Sequence, residues 1–275
     1  MAFSFVQLAD PQFGMFAALS GFNNPDTEKL VRSGLILPRC SKIEGFEYET
    51  KRYSKAINLA NQINPSFVVT CGDMCNDKID PTYEYAELMR ITSELNKDIP
   101  MHWVSGNHDV SNTPTDQLLT RYRGMYGNDV YSFDVENCHF VVLNSTVCQD
   151  PSNVWDEWIK QVKFLESDLK KARSSDVRHI IVFTHHPPFL IHADEGDNWL
   201  VIPKDRRLVL IDLFIKYGVS HIFSGHWHRN HHSYFEGLEI VVSSSVGYPL
   251  GPDPSGIRIV NVDDNTISHE FLSLE

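Results

Sequence analysis

The stretch Trp103-Val104-Ser105-Gly106-Asn107-His108-Asp109 decides how this chain is read. It has the pattern of a buried strand that runs into a glycine turn and then into three polar side chains. Asn, His and Asp crowded on one turn are poor core formers. They suit a site: an amide oxygen for a hard cation, an imidazole for proton transfer, and a carboxylate to orient that imidazole. Taken alone, Gly-Asn-His-Asp reads better as an ordinary loop turn, because Asn, Asp and Gly dominate turns. The residues at the ends of the other strands decide between the two readings.

Working outward, strand-like runs are expected at Phe3–Ala9, Phe67–Cys71, Met101–Ser105, His139–Asn144, His179–Thr184, Val219–Ser224, Leu238–Val242, Ile257–Val260 and Ile267–Leu272. Several are continuously apolar, as strands buried on both faces are. Helical patterns lie between them at Tyr48–Ile63, Tyr83–Asn96, Thr115–Tyr126, Trp155–Arg173 and Lys204–Tyr217, the last closed by Gly218. In the fourth, Trp158, Val162, Leu165 and Leu169 share one face, which is a core pattern and nothing more. Strand alternating with helix implies a layered α/β domain. From Leu238 onward strands succeed one another without helices, which implies a second sheet or an antiparallel completion of the first. Two insert-like segments, 14–46 and 187–203, are long for a compact domain, and such loops are either lids or neutral excursions.

Composition narrows the classes. At 275 residues and 42 % hydrophobic, the chain can bury a full core. A net charge of −12 argues against a general nucleic-acid or anionic-membrane binder, which needs a basic footprint. The basic groups Arg121-Tyr122-Arg123, Lys170-Lys171-Ala172-Arg173 and Lys204-Asp205-Arg206-Arg207 read as solvated helix faces. No apolar run approaches the roughly 20 residues of a membrane span. Phe3–Ala9 lacks a basic leader and ends on Asp10, so it reads as a first strand and not as a signal peptide. Five cysteines at irregular spacings give no disulfide framework, and a cytoplasmic location is expected. Cys71 and Cys75 read as small buried residues, since a third and fourth thiolate for zinc are missing.

Five strand ends carry polar groups: Asp10-Pro11-Gln12, Gly72-Asp73, Gly106-Asn107-His108-Asp109, His185-His186-Pro187, and Gly225-His226-Trp227-His228. Ligands of open α/β sheets collect at the carboxyl ends of strands. Oxygen and imidazole donors without cysteine suit Mn, Fe or Zn. Each stretch also has a plain reading. Asp10 before proline caps a turn, Gly72-Asp73 is a strand-to-loop junction, His185-His186 is a satisfied core pair, and His226 and His228 alternate as on a strand. Singly, these stand level with the functional reading; five accidents at successive strand ends do not. His102, His139, His179, His221, His231, His232 and His269 lack such a setting and read as core or surface.

The order Asp-x-(His/Gln), Gly-Asp, Gly-Asn-His-Asp, a single His and Gly-His-x-His resembles the calcineurin-like metallophosphoesterase superfamily. The blocks run from Asp10 to His228 and strands continue to the end, so the resemblance covers nearly the whole chain as a single domain, 1–275. It implies a four-layered αββα sandwich with two mixed sheets. The run Asp10-Pro11-Gln12-Phe13, Asn112-Thr113-Pro114-Thr115 after Gly-Asn-His-Asp, and Gly-His-Trp-His-Arg-Asn are similar to one branch, regarded as serine/threonine protein phosphatases. Carried over, one metal falls to Asp10, Gln12, Asp73 and His228. The other falls to Asp73, Asn107, His185 and His226, with Asp73 bridging. His186 matches no ligand position. Gln12 stands where most of the superfamily has His, and a hard amide oxygen there favours Mn²⁺.

The resemblance thus implies a phosphoesterase with two divalent cations acting on a phosphorylated substrate, a phosphoprotein among those expected; from charge and composition neither nucleic acid nor membrane is expected as partner. His108 is the expected general acid for the leaving group, and Asp109 the expected orienter of its ring. Alternatives are a phosphodiesterase or nucleotide phosphohydrolase, or a silent partner-binding module of the same fold.

Overall fold

The computed structural model describes residues 2–37 and 39–275. Strands β1 (Phe3–Leu8), β2 (Val68–Cys71) and β3 (Met101–Val104) run parallel in a first sheet. Strands β4 (Tyr131–Val135), β5 (Cys138–Val142), β6 (His179–Phe183), β7 (His221–Ser224), β8 (His231–Phe235) and β9 (Leu238–Val242) form a second, in the order β4-β5-β6-β7-β9-β8. Its centre is parallel and its edges, β4 and β8, are antiparallel. Strands β10 (Gly256–Val262) and β11 (Ile267–Ser273) return antiparallel beside β1, so the first sheet is ordered β11-β10-β1-β2-β3. Both alternatives for the C-terminal strands are therefore realised: β9 joins the second sheet and β10–β11 complete the first.

Period-two alternation explains the continuously apolar strands. On β1, Phe5 enters the core between the sheets, while Val6 and Leu8 face the helices. Phe140 and Phe183 likewise point inward, and Val141, Ile180 and Val182 outward. Phe5 stacks on Phe67 at 4.8 Å and meets Phe140, Phe183 and Phe223 edge-on at 5.8, 5.6 and 5.5 Å. Each such ring contributes about 1.5–3 kcal/mol by burial, plus the edge-to-face term. This aromatic plug fixes how the sheets sit and thereby aligns their strand ends.

Helices cover both outer faces. They are α1 (Met15–Leu19), α2 (Pro25–Arg32), α3 (Glu47–Ile63), α4 (Thr82–Thr92), α5 (Asn107–Val110), α6 (Asp116–Tyr126), α7 (Ser145–Gln149), α8 (Trp155–Arg173) and α9 (Lys204–Tyr217). Helix α8 buries Trp158, Leu165 and Leu169 as its periodicity predicts, and α9 ends on Gly218 in the left-handed region (φ 71°). Among the described residues no helix is long and apolar enough to cross a membrane. The cysteines are all free thiols.

Three expectations are corrected. Segment 14–46 is not simply loop: it holds α1 and α2, with Asn24 capping α2 ahead of Pro25. Met15, Leu35 and Leu37 in it pack on Tyr248 and Leu250. The group around Lys204 is not all solvated face. Arg207 is fully buried and donates to the carbonyls of Pro188, Ala193, Glu195 and Ile202, so it ties segment 187–203 down. Strands β4 and β8 are additions to the strands expected from the sequence.

His139, one of the histidines without a site context, lies between Asp134 and Asp168, its ring nitrogens at 2.6 and 2.7 Å from their carboxylates. Burial opposes its charge, but the bonds to Asp168 and Asp134 outweigh burial and raise its pKa. A raised value stabilises the fold below the unfolded pKa of about 6.5, and the contribution is lost as pH rises through the folded value. His139→Gln is therefore expected to cost about 1.5–3 kcal/mol near pH 6, with the deficit shrinking at higher pH. Denaturant unfolding of both proteins across pH checks this; a deficit that does not change with pH contradicts it.

Candidate metal centre

The carboxyl ends of β1, β2 and β3 meet those of β6 and β7 at one end of the sandwich. Backbone and side-chain bonds cross the sheets there: His226 N donates to Asp10 Oδ2 (3.0 Å), Gln7 Nε2 to Ser224 O (3.0 Å) and Val246 N to Ala9 O (2.7 Å). Among the described residues nine non-glycine residues have positive φ, and five of them are the expected ligands Asp10, Gln12, Asp73, His226 and His228. Left-handed backbone costs free energy for such residues and persists where surroundings over-determine it. The turns are also tight. A Cβ on Gly72 would strike the His185 ring, and one on Gly106 or Gly225 would strike the carboxylate of Asp73 or Asp10.

All seven expected ligands are brought to this end and buried. Asp10, Asp73 and His185 offer ligand atoms within 4.8 Å of one another. His228 Nε2 lies 3.3 Å from Asp10 Oδ1, and His185 Nε2 lies 3.4 Å from Asp73 Oδ2 and 3.0 Å from Asn107 Oδ1. Asn112 Oδ1 accepts from Asn107 Nδ2 at 2.8 Å, which turns the Asn107 oxygen inward. Asn76 Oδ1 accepts from Gln12 Nε2 at 3.2 Å and leaves the buried Gln12 Oε1 without a donor. Asp10 Oδ1 is likewise buried without a donor.

The imidazoles obey one rule. His185 Nδ1 donates to Cys71 O (2.9 Å), His228 Nδ1 to Tyr248 O (2.6 Å) and His226 Nε2 to Trp199 O (3.0 Å). A carbonyl only accepts, so each ring spends its N–H on the backbone and turns a bare nitrogen inward. His185 Nε2 and His226 Nδ1 then face each other at 3.0 Å. Lone pair meets lone pair across the cluster, which is repulsive unless positive charge sits among them. A divalent cation supplies it, and so does a proton on His185. Burial disfavours that proton, but Asp73 outweighs burial and pushes the His185 pKa up to about 9. Asp73 is itself held well below the usual carboxylate range by His185, His108 and His226, against burial. Burial and the neighbouring His185 push His226 down to about 3. Metal and proton compete for the same nitrogens. The donor set, two carboxylates, two amide oxygens and three oriented imidazoles, fits a pair of divalent cations.

His108 and Asp109 part company. The His108 backbone N donates to Asp73 Oδ1 (2.7 Å), and its Nδ1 donates to Asn76 O (2.9 Å), leaving Nε2 free. The expected orienting role of Asp109 is corrected: its oxygens accept from the backbone N of Gly106 (2.7 Å), Asp73 (2.9 Å) and Met74 (3.0 Å). It fastens the two turns to each other, and the Asn76 carbonyl orients the ring. Burial lowers the His108 pKa, with Asp73 opposing.

Sequence reasoning missed Asn76, Asn112, Ser145 and the carbonyls of Trp199 and Tyr248. Asn112 opens the Asn112–Thr115 run that carries part of the resemblance, and Asn76 lies three residues past Asp73; backbone acceptors leave no residue-type signal. His186, which matches no ligand position, is buried beside His226 with ring centroids 4.2 Å apart.

Gln12 carries a sharp expectation. Its free oxygen is a weak, neutral donor, so Gln12→His is expected to tighten metal binding about 10–100-fold and shift preference toward Zn²⁺. Titration with Mn²⁺ and Zn²⁺ checks this; unchanged affinity and preference mean Gln12 is not a ligand.

The sequence profile of calcineurin-like phosphoesterases matches residues 3–230. The human serine/threonine-protein phosphatase CPPED1 is 36 % identical over 279 residues, covering 99 % of this chain and 84 % of that protein. Among solved structures, a purple acid phosphatase from yellow lupin superposes with TM-score 0.70 at 14 % identity, over 100 % of this chain and 52 % of its own. A dimetal phosphatase from Danio rerio superposes with TM-score 0.66 at 13 % identity, over 99 % and 96 %. Profile, relatives and sandwich agree: the chain belongs to the calcineurin-like phosphoesterase family.

Proposed function

We propose that residues 1–275 act as one domain, a dinuclear phosphoesterase that hydrolyses phosphate monoesters, with serine/threonine phosphoproteins as the substrate class. Asp10, Gln12, Asp73 and His228 would hold one divalent cation; Asp73, Asn107, His185 and His226 the other. The observation that carries this reading is the set of three imidazoles that give one N–H each to a backbone carbonyl and turn the other nitrogen inward, His228 toward Asp10, His185 toward Asp73 and Asn107, and His226 toward His185. The name of the human relative supports the substrate class.

When bound, such a pair of cations neutralises phosphate oxygens and lowers the pKa of water so that hydroxide is available at neutral pH. The chain's residues do the rest. Asp73, with its left-handed backbone held by Asp109, sets a shared carboxylate between the two ligand groups. His108, anchored by Asn76 through Nδ1–H, acts in its imidazolium form, which carries a second N–H at Nε2: that proton passes to the leaving oxygen as its bond to phosphorus breaks, and the ring is left neutral with Nδ1–H still on the Asn76 carbonyl. Trp199 walls the site beside His226, its ring half exposed.

The test is a panel on metal-loaded protein: aryl monoester, aryl diester, phosphopeptide and cyclic nucleotide. Preferred turnover of the monoester and phosphopeptide is expected. Preference for the diester or cyclic nucleotide overturns the monoester reading, and no turnover of any with metal bound makes the domain a silent binder.

A further inference from the structure

His186 stands beside the ligands yet breaks their rule. Its backbone N donates to Ser145 Oγ at 2.8 Å, and the backbone N of His185 donates to the same oxygen at 3.1 Å. Ser145 is fully buried at the start of α7. A hydroxyl has two acceptor lone pairs and one proton. Both lone pairs of Ser145 are taken, so its proton goes to the remaining neighbour, His186 Nδ1, at 3.1 Å. Nδ1 is therefore an acceptor, and a neutral imidazole carries its single N–H on the other nitrogen. An imidazolium is disfavoured by the same geometry, since its Nδ1–H would face an oxygen with no lone pair to give.

His185, His226 and His228 give their N–H to backbone carbonyls and turn lone pairs inward. His186 receives a proton from a hydroxyl and keeps an N–H at Nε2. Among the described residues that N–H has no hydrogen-bond partner, although the residue is only 2 % exposed. The ring packs at 4.2 Å from that of His226 and 4.9 Å from that of His185, and the three residues offer nitrogens within 4.8 Å of one another. An N–H is not a metal ligand. It is a donor, and the acceptor that fits a buried site of this chemistry is an anionic oxygen.

We propose that the His186 Nε2–H, fixed in that tautomer by Ser145, donates a hydrogen bond to a non-bridging oxygen of the phosphoryl group bound beside His185 and His226. This rests on the dinuclear reading above. A fixed donor aimed at oxygens that gain charge during transfer costs no reorganisation at the moment of reaction. The contact makes His186 a substrate-binding residue outside both ligand sets.

Two readouts test it. In the metal-free protein, multiple-bond nitrogen–proton NMR of His186 is expected to show the Nε2–H tautomer; Nδ1–H overturns the proposal. In the metal-loaded protein, His186→Leu is expected to keep the parent's metal content, lower kcat by about 10²-fold and weaken inhibition by inorganic phosphate about tenfold. His186→Gln, which retains an N–H donor, is expected to recover part of both. Loss of metal in both variants makes His186 a ligand and overturns the donor role. Unchanged phosphate inhibition at full metal content overturns the contact alone. A parent that binds fewer than two equivalents overturns the dinuclear reading, and the contact with it.

Discussion

Asp73→Asn is expected to lower turnover by at least about 10²-fold and to reduce bound metal below two equivalents. Both oxygens of the Asp73 carboxylate face groups of the site. Its Oδ2 lies 3.4 Å from His185 Nε2, and its Oδ1 accepts from the His108 backbone at 2.7 Å. Its own backbone is left-handed (φ 52°), and Gly106 packs against it so closely that no Cβ fits there. An amide keeps the shape but loses the charge that would neutralise the two proposed cations. It also presents N–H where an acceptor is needed. Metal analysis and turnover of an aryl phosphate measured on one preparation decide the matter. Full occupancy with activity intact would remove the bridging role.

His108→Gln is expected to leave metal content unchanged and to slow alkyl phosphates by about 10²–10⁴-fold. Nitrophenyl phosphate is expected to lose much less, because nitrophenolate leaves without protonation. The geometry supports the split. Among the described residues the His108 ring makes one hydrogen bond, from Nδ1 to the Asn76 carbonyl, and its Nε2 has no hydrogen-bond partner. Glutamine still offers an N–H to that carbonyl but carries no transferable proton. An equal loss on both esters argues for a binding or folding role, and loss of metal argues for ligation.

The sequence announced the site better than its supports. Polar residues at five strand ends were legible because buried parallel strands leave their functional groups at the carboxyl ends. Helices α8 and α9 were read to the residue from their periodicity and from Gly218. Strands β4 and β8 were not legible, because edge strands are half exposed and carry mixed sequences such as Tyr131-Ser132-Phe133-Asp134-Val135. Helices α1 and α2 are short, and their burial depends on Tyr248 and Leu250, far along the chain. The Asp109 role failed for a local reason. Adjacency to His108 says nothing about direction, and in the short helix α5 the third side chain turns back to the Gly106 amide. Arg207 looked like helix surface because its partners are carbonyls of a distant loop, which carry no residue-type signal.

The claim on which the rest depends is that two cations share Asp73. Anomalous diffraction from crystals loaded with Mn²⁺ tests it most directly. Two peaks about 3.5–4 Å apart are expected, one beside Asp10, Gln12 and His228 and the other beside Asn107, His185 and His226, with the Asp73 carboxylate reaching both. A single peak, or two peaks that Asp73 does not bridge, would contradict the account.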